Sequence, residues 1–161
     1  MPNTAVIHTT EIDPALVDYN GHLTEWAYYR IFSDALTKLF GDIGVGKEHR
    51  SRTGGTMYSL ESHGIFIKEV RPPATLEVSC RVLDFDPKRT HLVLDLHHGE
   101  NHLASYENVS LYVRQSPVGV PRASSMPDET IAWLNAQREI SDNSKWPPFA
   151  GRGLSLRRKA K

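Results

Sequence analysis

Between Glu25 and about Phe40 the apolar residues Tyr29, Phe32, Leu36, Leu39 and Phe40 recur every three or four positions, and from Met57 onward the period drops to two. A three-to-four-residue repeat buries a stripe of a helix, whereas alternation half-buries a strand. Trp26, Ile31 and Ala35 widen the stripe, so this long helix is expected to be covered on more than one side. Thr24 stands where an N-cap belongs. Gly41, Gly44 and Gly46 are expected to stop the helix and open a loop that runs through Gly54-Gly55.

The strands fall on both sides of that helix. Ala5 to Ile12 is rich in β-branched residues and reads as a first strand, ended by Asp13-Pro14. Met57 to Lys68 reads as a second strand, and Arg71-Pro72-Pro73 turns the chain. Ala74 to Phe85, Thr90 to His98 and Leu103 to Arg114 follow, joined by turns at Asp86-Pro87-Lys88 and Gly99-Glu100-Asn101. Three long strands joined by tight turns predict an antiparallel meander. The order predicts an α+β fold in which one curved antiparallel sheet wraps a long central helix. Val118 to Ser125 reads as a loop, and Pro127 opens a short helix through Ile131, Leu134 and Ile140.

At 161 residues the chain is long enough for one core. Residues 1–140 are expected to form a single domain, with 141–161 a polar tail that is loosely attached or wrapped on a partner subunit. Lys plus Arg equals Asp plus Glu at 19 each, so no net field recruits nucleic acid or an anionic membrane. No apolar run approaches the roughly 18 residues of a membrane helix. Cys80 is alone, which excludes an internal disulfide and a thiolate cage. With no basic, apolar leader at Met1-Pro2-Asn3-Thr4, the expectation is a cytoplasmic protein.

The chemistry concentrates in Val17-Asp18-Tyr19-Asn20-Gly21-His22-Leu23-Thr24-Glu25. A helix start offers unpaired N–H groups and the positive end of a dipole. A carboxylate just before it can face the same volume, a combination suited to attack on a carbonyl. On the residues alone Asp18 is either a turn-capping aspartate or that carboxylate. His22 either orients Asp18, lines a pocket or is hydrogen-bonded at the helix start. Alternation from Tyr58 to His63 predicts Tyr58, Leu60 and Ser62 on one strand face and Ser59, Glu61 and His63 on the other. Trp26, Tyr28, Tyr29 and Tyr58 near acidic Glu25 and Glu61 suit a quaternary ammonium, although aromatics at helical spacing also serve as core.

The Asp18-Tyr19-Asn20-Gly21-His22 run resembles the Asp-x-x-Gly-His segment of the hot-dog-fold, 4-hydroxybenzoyl-CoA thioesterase-like family. The resemblance implies a hot-dog fold and Asp18 as the catalytic carboxylate, either a general base toward water or a nucleophile. It implies that Gly21 and Asn20 shape the turn that the thioester approaches, with His22 beside them. The oxyanion would be held by the N–H groups of Thr24, Glu25 or Trp26. The family often has asparagine where this chain has Thr24-Glu25, and some hot-dog thioesterases use a helix carboxylate as base, so Glu25 is the rival to Asp18. Within the family the chain is similar to thioesterases of carnitine breakdown, which cleave betainyl-CoA. That similarity rests on Asp18 to Glu25, on Tyr58 with the Glu61 strand and on Asp86-x-Lys88-Arg89-x-His91-Leu92, and it spans Asp13 to Val113. It implies Asn20, Trp26, Tyr28, Tyr29, Tyr58, Glu61 and His63 around the substrate, and a homodimer or tetramer with its sites at the subunit interface. On the residues alone the Glu61 and His63 face either meets solvent or lines a polar pocket, and in a dimer the pair is within reach of Asp18 of the partner subunit. No metal is implied, and no cofactor beyond coenzyme A as part of the substrate. A hot-dog hydratase or dehydratase and a non-catalytic acyl-CoA-binding protein are the alternatives.

Two other patterns are set aside. Gly41-Asp42-Ile43-Gly44-Val45-Gly46-Lys47-Glu48 nearly spells a P-loop, but it follows a helix and has Glu48 where Ser or Thr belongs. No Gly-x-Ser-x-Gly elbow is present, which excludes an α/β-hydrolase serine site.

Overall fold

A computed structural model describes residues 5–115, 117–142, 147–154 and 156. The elements run β1 (Val6–Glu11), α1 (Glu25–Asp42), α2 (Lys47–Thr53), β2 (Gly55–Phe66), β3 (Thr75–Phe85), β4 (Arg89–His98), β5 (Asn101–Arg114), β6 (Arg122–Ala123) and α3 (Asp128–Asp142). All strand pairs are antiparallel, and the sheet order is β1-β3-β4-β5-β2, with β6 also paired to β5. The expected meander is β3-β4-β5. β2 does not neighbour β3; it crosses to the far side of β5, and among the described strands its other edge is unpaired.

Helix α1 lies on one face of the sheet because its apolar stripe is matched there by alternate strand residues. Ala27, Ile31, Phe32, Ala35, Leu36 and Leu39 are buried with Leu76 and Val78 of β3, Leu92, Leu94 and Leu96 of β4, and Ala104 and Tyr106 of β5. Phe32 stacks on Tyr106 with ring centroids 5.1 Å apart. Burying one such side chain is worth roughly 1.5–3 kcal/mol, so the stripe as a whole holds the helix in place. Leu134 of α3 joins the same core, and Thr130 Oγ1 donates to Ile43 O at 2.8 Å, fastening α3 near the end of α1.

The expected loop from Gly41 to Gly55 is corrected. Helix α1 continues through Gly41, and α2 follows after a short turn. Gly46 is required by packing, since a Cβ on it would lie 2.6 Å from Gly41 Cα. Thr24 does occupy the N-cap position, but its side chain makes no capping bond. None of the described helices is long and apolar enough to cross a membrane.

The middle of the opposite sheet face carries buried polar side chains. His91 and Glu107 are both essentially excluded from solvent, with Nε2 2.7 Å from Oε1. The described part of the C-terminal segment lies against this face, where Gly151 N donates to Glu107 Oε1 at 2.7 Å and Arg89 Nη2 donates to Leu156 O at 3.3 Å. Ser105, Asp95 and His102 also meet here; Ser105 is fully buried and donates to Asp95.

Candidate active site

The segment before α1 folds back on itself as a tight hairpin. Val17 bridges Leu23, Asp18 N donates to His22 O at 2.8 Å, and Gly21 N donates to Asp18 O at 3.0 Å. Gly21 has φ +77°, a left-handed conformation that costs any residue with a Cβ. Inside the hairpin, Asp18 Oδ1 accepts from Asn20 N at 2.8 Å and from His22 N at 3.1 Å. The second oxygen has only a long 3.5 Å contact with Asn20 Nδ2. One oxygen is therefore anchored by two backbone amides and the other is held only by the Asn20 side chain. The His22 backbone N–H, then those of Asn20, hold the Asp18 carboxyl below its usual range against a smaller opposing effect of burial.

The hairpin hands the chain to an open helix start. Thr24 N is used by Leu16 O at 2.9 Å, which takes it out of the oxyanion candidates. The amides of Glu25 and Trp26 precede any intrahelical acceptor and receive no side-chain cap from Thr24. They form the donor pair at the positive end of α1.

Beside that start lies a groove of about 410 Å³ lined by Leu23, Glu25, Tyr28, Phe66, Ile67, Lys68 and Glu69. The hairpin and the groove are stitched together: Leu23 N donates to Val70 O at 3.0 Å, and His22 Nε2 faces Glu69 Oε1 at 3.2 Å without hydrogen-bonding geometry. The Tyr28 hydroxyl donates to Lys68 O at 3.4 Å, and its ring meets Phe66 edge-on at 5.3 Å. Burial, and then the Glu69 charge, push the Tyr28 phenol up.

Of the expected site residues, Glu25 and Tyr28 line the groove, and Tyr29 meets its wall at Phe66 with ring centroids 6.1 Å apart. Asp18, Asn20, Gly21 and His22 form the adjoining hairpin. Trp26 is 55% exposed and is not among the groove residues. The expected face assignment on β2 is corrected by a bulge between Ser59 and Glu61. Tyr58, Glu61 and His63 pair with Leu111, Val109 and Glu107, whereas Ser59 and Ser62 pair with Ser110 and Asn108. Tyr58 therefore shares a face with Glu61 and His63, on the side of the sheet away from α1, and within one chain none of the three lines the groove. Phe66, Lys68 and Glu69 were not expected there. Their signal was weak: an apolar pair followed by Lys68-Glu69 at the end of a strand pattern.

The model of the thioesterase-like superfamily matches residues 12–134. The chain is 32% identical to a betainyl-CoA thioesterase of Pseudomonas aeruginosa, over 97% of this chain and 98% of that one. It is 33% identical to an L-carnitine dehydrogenase/betainyl-CoA thioesterase of Agrobacterium fabrum, covering 92% of this chain but only 30% of that longer protein. Among solved structures, a Staphylococcus aureus protein in complex with CoA superposes with a TM-score of 0.84 at 21% identity, over 96% of this chain and 97% of that one. A DHNA-CoA thioesterase from the same organism gives 0.68 at 12% identity, over 84% and 91%. The curled antiparallel sheet around α1 is thus the hot-dog fold, and the chain belongs to the thioesterase-like superfamily.

Proposed function

We propose that this protein hydrolyses acyl-CoA thioesters and that its substrate is betainyl-CoA, released as glycine betaine and free CoA. The observation that carries this reading is the groove beside the uncapped start of α1. It joins carbonyl-polarising amides to aromatic rings and two carboxylates, Glu25 and Glu69. The similarity to a betainyl-CoA thioesterase along nearly the whole of both chains supports the same substrate.

In the proposed reaction the thioester oxygen lies at the Glu25 and Trp26 amides, which stabilise the charge it gains in the tetrahedral intermediate. Asp18 uses its second oxygen either to take a proton from water or to attack the carbonyl carbon itself. The C–S bond breaks, the CoA thiolate takes a proton, and water supplies the new carboxylate oxygen. Asp18 lies in the hairpin rather than among the groove residues, so it approaches the carbonyl while the acyl head occupies the groove. Glu25, on the first turn of α1 and in the groove, is assigned to the acyl head rather than to the base.

We further infer a homodimer paired through β2. Among the described strands this one has a free edge, and it carries exposed Tyr58, Leu60 and Phe66, the features of a strand awaiting a partner. Pairing there would bring Tyr58, Glu61 and His63 toward a site of the partner subunit. We place the protein in the cytoplasm, where CoA thioesters are made and used.

The test is thiol release from betainyl-, acetyl-, butyryl-, benzoyl- and palmitoyl-CoA. Preference for betainyl-CoA is expected. Preference for an uncharged thioester would reject the proposed substrate, and release from none of them would reject hydrolysis.

A further inference from the structure

We infer that Glu69, on the segment that follows β2, sets the preference of this enzyme for a cationic acyl head over a neutral one of the same shape. The inference rests on the thioesterase reading above and assigns the discrimination to one side chain.

A trimethylammonium group offers no hydrogen-bond donor of ordinary strength, and its charge is spread over methyl groups. It is recognised by aromatic surfaces with a carboxylate nearby rather than by a fixed hydrogen bond. The groove supplies those surfaces in Tyr28 and Phe66, whose rings stand at 79° to one another. Two carboxylates line it, and they are not equivalent. Glu25 is the first residue of α1, where the positive helix end offsets its charge. Glu69 lies outside any helix, and its near neighbour is the His22 ring at 3.2 Å, out of hydrogen-bonding geometry.

The single cationic side chain among the lining residues is Lys68, and it is held away from this role. Its Nζ donates to Asn101 Oδ1 at 3.0 Å, while its main-chain carbonyl takes the Tyr28 hydroxyl. The groove therefore keeps the negative charge of Glu69 uncancelled by its own lysine. Burial, and then the Glu69 charge, raise the Tyr28 phenol, as the placement of Glu69 beside the aromatic wall requires. With its side chain 70% exposed, Glu69 stays hydrated until a substrate covers it, so the expected discrimination is moderate.

The experiment compares betainyl-CoA with 3,3-dimethylbutanoyl-CoA, in which carbon replaces the quaternary nitrogen and the shape is kept. The readout is the ratio of kcat/KM for the two thioesters in the wild type, Glu69→Gln and Glu69→Asp. Because Glu69 is exposed, these variants keep the fold. Glu69→Gln is expected to lower the ratio about tenfold, mainly through KM for betainyl-CoA, and Glu69→Asp to retain part of it. An unchanged ratio, with both substrates losing turnover equally, would make Glu69 a positioning residue acting through His22 and overturn the inference. A wild type with no preference for the cation would reject the betainyl reading itself, so that failure shows in the unmodified enzyme and the other only in the variant.

Discussion

Asp18 Oδ1 accepts the backbone N–H of His22 at 3.1 Å, so the carboxylate that precedes the long helix is fixed by the turn it organises. The same hydrogen bond makes it a stronger acid than a free aspartate, whose ordinary value is 3.8. The sign follows from linkage. A carboxyl whose folded pKa is depressed favours the folded state above its unfolded value, and this contribution is lost as pH falls through the folded pKa.

A pH profile checks this directly. Asp18 remains ionised throughout pH 5–8, so it gives no acid limb there, and kcat/KM falls on its account only below the ordinary aspartate value of 3.8. A limb with an apparent pKa between 5 and 7 that disappears in Asp18→Asn would contradict the assignment.

On the far face of the sheet, Glu107 holds the C-terminal segment through Gly151 N and faces His91, both within 2.7 Å of one oxygen. Glu107→Ala removes a buried carboxylate and leaves the Gly151 amide without that acceptor. The expected loss of stability is about 3–5 kcal/mol, measured by urea unfolding. A loss under about 1 kcal/mol would show that this contact does not fasten the segment.

The free edge of β2 leads to a third expectation. Sedimentation velocity at micromolar concentration should show a dimer, and Leu60→Lys, which puts a charge on the exposed edge, should shift it toward monomer and lower hydrolysis with it. A monomeric wild type with full activity would remove β2 pairing from the site.

Much of the fold was legible because its signals are periodic. Phe32, Leu36 and Leu39 announced α1, and the alternation of Leu92, Leu94 and Leu96 announced a strand with one face in the core. Helix α2 was not legible, since Lys-Glu-His-Arg-Ser-Arg-Thr has no apolar stripe and only His49 is buried. The bulge at Ser59/Glu61 was equally silent: one added residue reverses which side chains share a face, and no residue there marks it. Asp18, Gly21 and His22 stood out because a turn, a carboxylate and a helix start coincide in sequence. Glu69 and Phe66 did not, because tertiary folding alone brings the end of β2 to the start of α1.

The most direct measurement is the steady-state rate of betainyl-CoA hydrolysis by Asp18→Asn against the wild type. The asparagine oxygen can still accept the Asn20 and His22 amides, so the hairpin is kept while the charge and the second acceptor oxygen are lost. Turnover is expected to fall by at least ~10²-fold with the unfolding midpoint little changed. Near wild-type turnover in a folded Asp18→Asn would contradict the assignment and move the catalytic carboxylate to Glu25.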